Sequence, residues 1–155
     1  MRIHIAPIPA PFLQQARVEG VDALGQPVKR IVSATGGEPC RDVLRRARPG
    51  EQLILASFSP FAAIGPYREF GPVFILADAA DEDVPRETLP TDRGYLRERF
   101  VIRAYSAAEE IVDAVMVGPE DADEAIARFF DRSDVAFLHA RFPVYGCFAC
   151  RIDRQ

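Results

Sequence analysis

Between Glu51 and Asp78 the chain reads EQLILASFSPFAAIGPYREFGPVFILAD: two apolar runs of β-forming residues around a segment punctuated by Pro60, Gly65-Pro66 and Gly71-Pro72. Residues 53–59 open on a nearly continuous apolar run, which predicts a strand buried on both faces. Residues 72–77 predict a second strand. Between them Tyr67, Arg68 and Glu69 stand in a loop stiffened by proline and bounded by glycine. A second dense stretch, HARFPVYGCFACRI from His139 to Ile152, predicts a strand pair over 134–142 and 145–153 joined through Pro143-Val144.

The remaining elements are read the same way. Residues 2–6 alternate as a short strand, and Pro7, Pro9 and Pro11 then predict an extended segment. Residues 28–34 follow the turn Gly25-Gln26-Pro27 as a strand. In 40–47, Cys40, Val43, Leu44 and Ala47 recur at helical spacing, which predicts a short helix closed by Pro49-Gly50. The acidic, proline-containing stretch 79–94 predicts a long mobile surface loop. Residues 95–105 alternate, with Arg97, Arg99, Val101, Arg103 and Tyr105 on one face and Phe100, Ile102 and Ala104 on the other. Ile111–Val117 is the expected hairpin partner. Pro119–Phe130 is the clearest helix: Pro119 suits the first position, Glu120, Asp121 and Asp123 suit the positive end, and Ala122, Ala125, Ile126, Phe129 and Phe130 make the apolar stripe. Strands outnumber helices and connections are short. The fold class expected is therefore α+β: one domain over 1–155, mainly antiparallel β-sheet with two helices packed on it.

Composition bounds the function. A chain of 155 residues, 48% apolar, is long enough for its own core. Its net charge of −4 gives no overall footprint for nucleic acid. No stretch reaches the roughly 18 apolar residues of a membrane span, and residues 1–11 lack the features of a signal peptide. The cytoplasm is the expected compartment. The three cysteines, Cys40, Cys147 and Cys150, argue against a disulfide framework.

In order along the chain, Glu38-Pro39-Cys40-Arg41, Gly50-Glu51, Ser59-Pro60-Phe61, Pro66-Tyr67-Arg68-Glu69, Gly71-Pro72-Val73-Phe74, Arg103-Ala104-Tyr105 and Gly146-Cys147-Phe148-Ala149-Cys150-Arg151 resemble the bacterial domain of unknown function 1203 family. The resemblance runs from about residue 38 to the C-terminus. It implies a small cytoplasmic bacterial protein and no reaction. The family pattern also carries a second Cys where this chain has Val43, a His where it has Leu76, and a Cys in the loop where it has Ala79-Ala80. A metal or redox site at those positions is not expected here.

No Walker loop, dinucleotide fingerprint or Ser-His-Asp order is present. Cys147 and Cys150 form C-x-x-C, but on a strand residues three apart point to opposite faces, so neither zinc nor any other cofactor is expected. Cys40, ahead of its predicted helix, would have a lowered pKa and could serve as a nucleophile with His139 as base, making a Cys40-dependent enzyme. Against this, Cys40 lies on the apolar face of that helix, and a lone His139 beside Arg141 is expected to be semi-buried and hydrogen-bonded. The best candidate is a polar cluster of Arg41, Tyr67, Arg103 and Arg141, with Arg41 at a helix start, forming a pocket for a small anionic ligand; read structurally, Arg141 and Arg103 would instead pair with Glu51, Glu69 or Asp113 and hold loops in place. The alternative is a non-catalytic interaction domain, or a homodimer formed through an exposed edge strand.

Overall fold

The computed structural model describes residues 2–155, which form two five-stranded sheets and two helices. The elements in chain order are β1 (Ile3–Ala6), α1 (Ala10–Gln14), β2 (Lys29–Val32), β3 (Pro39–Cys40), β4 (Arg45–Arg46), β5 (Gln52–Phe58), β6 (Gly71–Leu76), β7 (Phe100–Tyr105), β8 (Ile111–Val117), α2 (Pro119–Phe130), β9 (Phe137–Arg141) and β10 (Phe148–Arg154). The first sheet runs β1-β10-β9-β7-β8 and is antiparallel throughout. The second runs β2-β5-β6-β3-β4, with β3 and β6 its one parallel pair. The fold is α+β, as expected.

α2 covers one face of the first sheet. Ala122, Ala125, Ile126, Phe129 and Phe130 pack on Ile3, Ile5, Phe100, Ile102, Ala104, Leu138, Ala140 and Ile152, the alternate residues of four strands. Burying each large side chain there contributes roughly 1.5–3 kcal/mol before entropy is subtracted. Leu53–Leu76 and Ile54–Ile75 pair across β5 and β6 at the centre of the second sheet. All four are buried, so the apolar run of β5 faces protein on both sides.

Two local expectations fail. The segment 40–47 is a β-hairpin rather than a helix: Cys40 pairs with Arg45 on β4 and, in parallel, with Phe74 on β6. Leu44 turns the corner at φ +49°. Asp42 is held by the Leu76 N–H, 3.2 Å from Oδ1, and by Arg17 at 2.6 Å. Eight residues cannot offset helix nucleation alone, and pairing to β6 wins. The four apolar residues at helical spacing are still buried, but Leu44 joins the core under α2 while Cys40, Val43 and Ala47 line the second sheet. The reverse error is at 7–11, expected to be extended. There α1 begins at Ala10 with Pro11 in its first turn, where a missing N–H costs nothing, and it continues as a π-helical turn over Gln15–Glu19. Phe12 and Ala16, one helical turn apart, bury against Ile54, Ala56, Phe58 and Ile75.

Strand boundaries shift as well, and so does the character of the acidic segment. The expected strand at 95–105 begins only at Phe100. Tyr95 is instead a core residue whose hydroxyl donates to the Ala149 carbonyl at 2.7 Å. The 79–94 segment lacks regular structure, but it is fastened by Glu82 to Arg45, by the Arg86 carbonyl to the Ile5 N–H, and by buried Leu89. No helix is long and apolar enough to cross a membrane among the described residues.

Candidate functional site

The first sheet's other face carries its polar chemistry. Antiparallel partners share a face, and the register pairs Arg103 with His139, Tyr105 with Phe137, His139 with Arg151, and Arg141 with Phe148. Alternation therefore puts Arg103, Tyr105, His139, Arg141 and Arg151 together, opposite α2. Phe61, from the loop joining β5 to β6, closes over them. The His139 ring is boxed by Tyr105 (4.7 Å between centroids), Phe148 (5.0 Å), Phe137 (5.2 Å) and Phe61 (5.3 Å). Phe148 also meets Phe58 of the second sheet at 5.8 Å. The aromatic row thus ties the two sheets together at the site.

Buried polar atoms normally find partners. Among the described residues four find no protein partner: the Tyr105 hydroxyl, both ring nitrogens of His139, and Nε of Arg141. His139 is fully buried, and burial first, then the nearby Arg141, Arg151 and Arg103 guanidinium groups, push its pKa well below the usual imidazole value. The imidazole is neutral, with one donor and one acceptor. Rather than the hydrogen-bonded semi-buried residue expected, it is a fully buried histidine with no hydrogen-bond partner among the described residues.

Arg141 is the charged end of this row. Its Nη1 donates to the Gly146 carbonyl at 3.0 Å and its Nη2 to the carboxylate of Glu69. The two partners differ in exposure: the Arg141 side chain is 3% exposed and that of Glu69 43%. A cavity of about 150 Å³ opens between the β5–β6 and β9–β10 loops, with Phe58, Pro60, Glu69, Arg141, Tyr145 and Phe148 in its wall.

The four expected ligand residues separate. Arg141 lines this cavity. Arg103 shares the face of His139, half-buried, and its guanidinium makes no hydrogen bond among the described residues. Tyr67 is 42% exposed on the loop and does not line the cavity. Arg41 is not at a helix start. It is 2% exposed and its donors are taken by the carbonyls of Phe148 (2.9 Å) and Pro39 (2.6 Å) and by Cys147 Sγ (3.4 Å). It staples the β3–β4 hairpin to the start of β10, and its guanidinium lies over the Phe142 ring. Sequence reasoning missed Phe61 and Phe148, since neither ring carries a polar signal. The alternation of 137, 139 and 141 was the available clue to the shared face.

The cysteines differ from expectation too. Cys40 sits in a strand and is fully buried, and burial, then Asp42, pushes its thiol up to about 12. A reactive thiolate is thereby disfavoured. A bulge between Phe148 and Cys150 interrupts the alternation of β10. Cys147 and Cys150 therefore both touch the core under α2, rather than pointing to opposite faces. Burial also pushes the Cys150 thiol up to about 12. Among the described residues no three His, Cys, Asp or Glu side chains converge as a metal-ligand set.

No curated protein and no solved structure matches this chain. A family model described as Protein of unknown function (DUF1203) matches residues 37–154, which includes Glu69, Tyr105, His139 and Arg141. On that match the chain belongs to the DUF1203 family, a family of unknown function.

Proposed function

We propose that the protein binds a small anion, a carboxylate or phosphate, on Arg141 in the cavity between the β5–β6 and β9–β10 loops. The asymmetry of the Arg141–Glu69 pair carries this reading. A buried guanidinium must keep a counter-charge, and here the counter-charge is half exposed and comes from a loop. An external anion can take its place without leaving Arg141 unpaired. The about 150 Å³ available, against roughly 30 Å³ per water, suits a ligand of a few heavy atoms. Arg103 adds positive potential on the same face. Arg41 and Tyr67 do not line this cavity, so the ligand set contracts to Arg141 with Arg103 in support.

The test is calorimetric titration of acetate, lactate and inorganic phosphate into the wild type and Arg141→Gln. Arg141→Gln should lose at least about tenfold in affinity, the scale of a charge-assisted bidentate contact. Equal binding by both folded proteins, or binding by neither, overturns the reading.

The interaction-domain reading has β8 as its natural edge, a seven-residue strand paired on one side only. That edge is guarded. Asp113 Oδ1 accepts the Ala114 N–H at 2.8 Å, while Oδ2 accepts from Arg132. A charged, self-capped edge resists strand addition, so the small-anion reading is preferred. The buried, protonated Cys40 thiol gives an enzyme reading nothing comparable.

A further inference from the structure

We propose that residues 59–70 form a latched cover over a second, inner binding position made by Tyr105 and His139, which takes the hydroxyl or carbonyl of a short carboxylic acid whose carboxylate displaces Glu69 from Arg141. The inference rests on the reading of Arg141 as the anion site and extends it to a substrate class and a gate.

The fastenings of the loop support a cover. Among the described residues its only backbone hydrogen bond is internal, from the Arg68 N–H to the Gly65 carbonyl. It is otherwise held by side chains: Glu69 on Arg141, the Phe61 ring against Tyr105 and His139, and the Glu109 carboxylate, which accepts from the N–H groups of Ala62 (3.0 Å) and Ala63 (2.8 Å). Glu109 holds this position at φ +62°, a conformation that β-carbon sterics disfavour and that often marks a functional contact. A segment held by three side-chain contacts and no sheet pairing can lift without breaking either sheet.

The atoms beneath supply the ligand's chemistry. Glu69 occupies Nη2 of Arg141 and leaves Nε without a partner. A carboxylate set squarely on the guanidinium fork engages both nitrogens, as bidentate pairs do. The latch therefore satisfies Arg141 less fully than a free carboxylate would. On β9, His139 lies two residues from Arg141 on the same face, about 6.8 Å along the strand. Its two nitrogens and the Tyr105 hydroxyl are buried and without partners among the described residues. A neutral imidazole and a phenol each donate and accept, which suits a hydroxyl or carbonyl near the carboxylate and gives nothing to an alkyl group. The ligand class is a short 2-hydroxy or 2-oxo acid.

The experiment titrates lactate, pyruvate and propionate into wild type, Glu69→Gln, Glu69→Gln/Tyr105→Phe and Arg141→Gln. In parallel, diethylpyrocarbonate labelling of His139 is followed by mass spectrometry, with His4 as internal reference. Removing a competing latch raises apparent affinity by the fraction it held closed. Glu69→Gln should therefore bind lactate and pyruvate about tenfold tighter than wild type and label at His139 faster. It should prefer both acids to propionate, and Tyr105→Phe should erase that preference while circular dichroism stays native. If Arg141→Gln abolishes binding but Glu69→Gln changes neither affinity nor labelling, the latch is refuted and the Arg141 site stands. No preference of Glu69→Gln for lactate or pyruvate over propionate refutes the inner position. Unchanged binding by Arg141→Gln, or binding of no acid by any variant, refutes both the site and this extension.

Discussion

Replacing His139 by Phe isolates the consequence of burying an imidazole without partners. In the folded protein the ring is neutral because burial, then Arg141, Arg151 and Arg103, hold its pKa well below the ordinary imidazole value of 6.5. In the unfolded chain it titrates near that value, so below it the unfolded state binds the extra proton. Stability rises with pH wherever the unfolded state binds more protons. The His139 contribution is therefore whole above the unfolded pKa and is lost progressively as pH falls below it. From about pH 7.5 to about pH 5 the loss is at most about 2 kcal/mol, within the limit of roughly 1.4 kcal/mol per pH unit for one group. Phe has no proton to take. It also removes two unpartnered nitrogens, worth about 1–3 kcal/mol each when left unpaired, while its larger ring costs about 1–3 kcal/mol in a packed cluster. Those effects oppose each other at neutral pH, so the pH slope is the decisive quantity. Urea unfolding followed by far-UV circular dichroism suits a chain with no tryptophan. The difference in stability between wild type and His139→Phe should move in favour of His139→Phe as pH falls between the two values, by at most about 2 kcal/mol. A difference that does not change with pH would refute a neutral, buried His139.

Three further predictions concern the scaffold. Phe129, 2% exposed in the core under α2, should cost about 3–5 kcal/mol as Phe129→Ala, measured by urea denaturation. Gly36 has φ +77°, and a β-carbon there would lie 2.7 Å from the Ala47 carbonyl oxygen, whereas Gly20 at φ +71° has nothing within 4 Å. Thermal unfolding should show Gly20→Ala losing only the left-handed penalty of about 1–2 kcal/mol, and Gly36→Ala losing more. Hydrogen bonding from Arg45 lowers the Glu51 pKa from 4.5 to about 2. The depressed pKa gives stability that is present above 4.5 and lost as pH falls to about 2. Acid titration of Glu51→Gln should flatten that limb, and an unchanged limb would remove Glu51 from the account.

Local patterns held where one face or one period settled the outcome. The stripe of α2, with proline at its start and acids in its first turn, needs only helical periodicity to declare itself, and its bounds agree with the structure. The apolar runs of β5 and β6 and the alternation of β7 and β9 were legible for the same reason: a strand's side chains have a period of two whatever lies beside it. Alternation put Arg103 and Tyr105 on one face of β7, and the register adds His139 and Arg141 to that face.

What alternation could not supply was the neighbour on that face, or the competition between local and distant pairing. Residues 40–47 have helical spacing, but β6 offered Cys40 a backbone partner 34 positions away, and a short helix could not compete. Arg41 was read as an anion binder because a helix start favours anions; the packed structure puts it in a hairpin and brings the Phe148 carbonyl and Cys147 to consume its donors. Cys147 and Cys150 escaped the strand rule through a bulge whose position depends on pairing with β9. By itself, the sequence determined the chemistry available and the faces of the regular elements, since those follow from local periodicity. Which polar groups stay unpartnered, and which loop closes over them, was decided by tertiary structure alone, because burial and hydrogen-bond satisfaction belong to residues far apart in the chain.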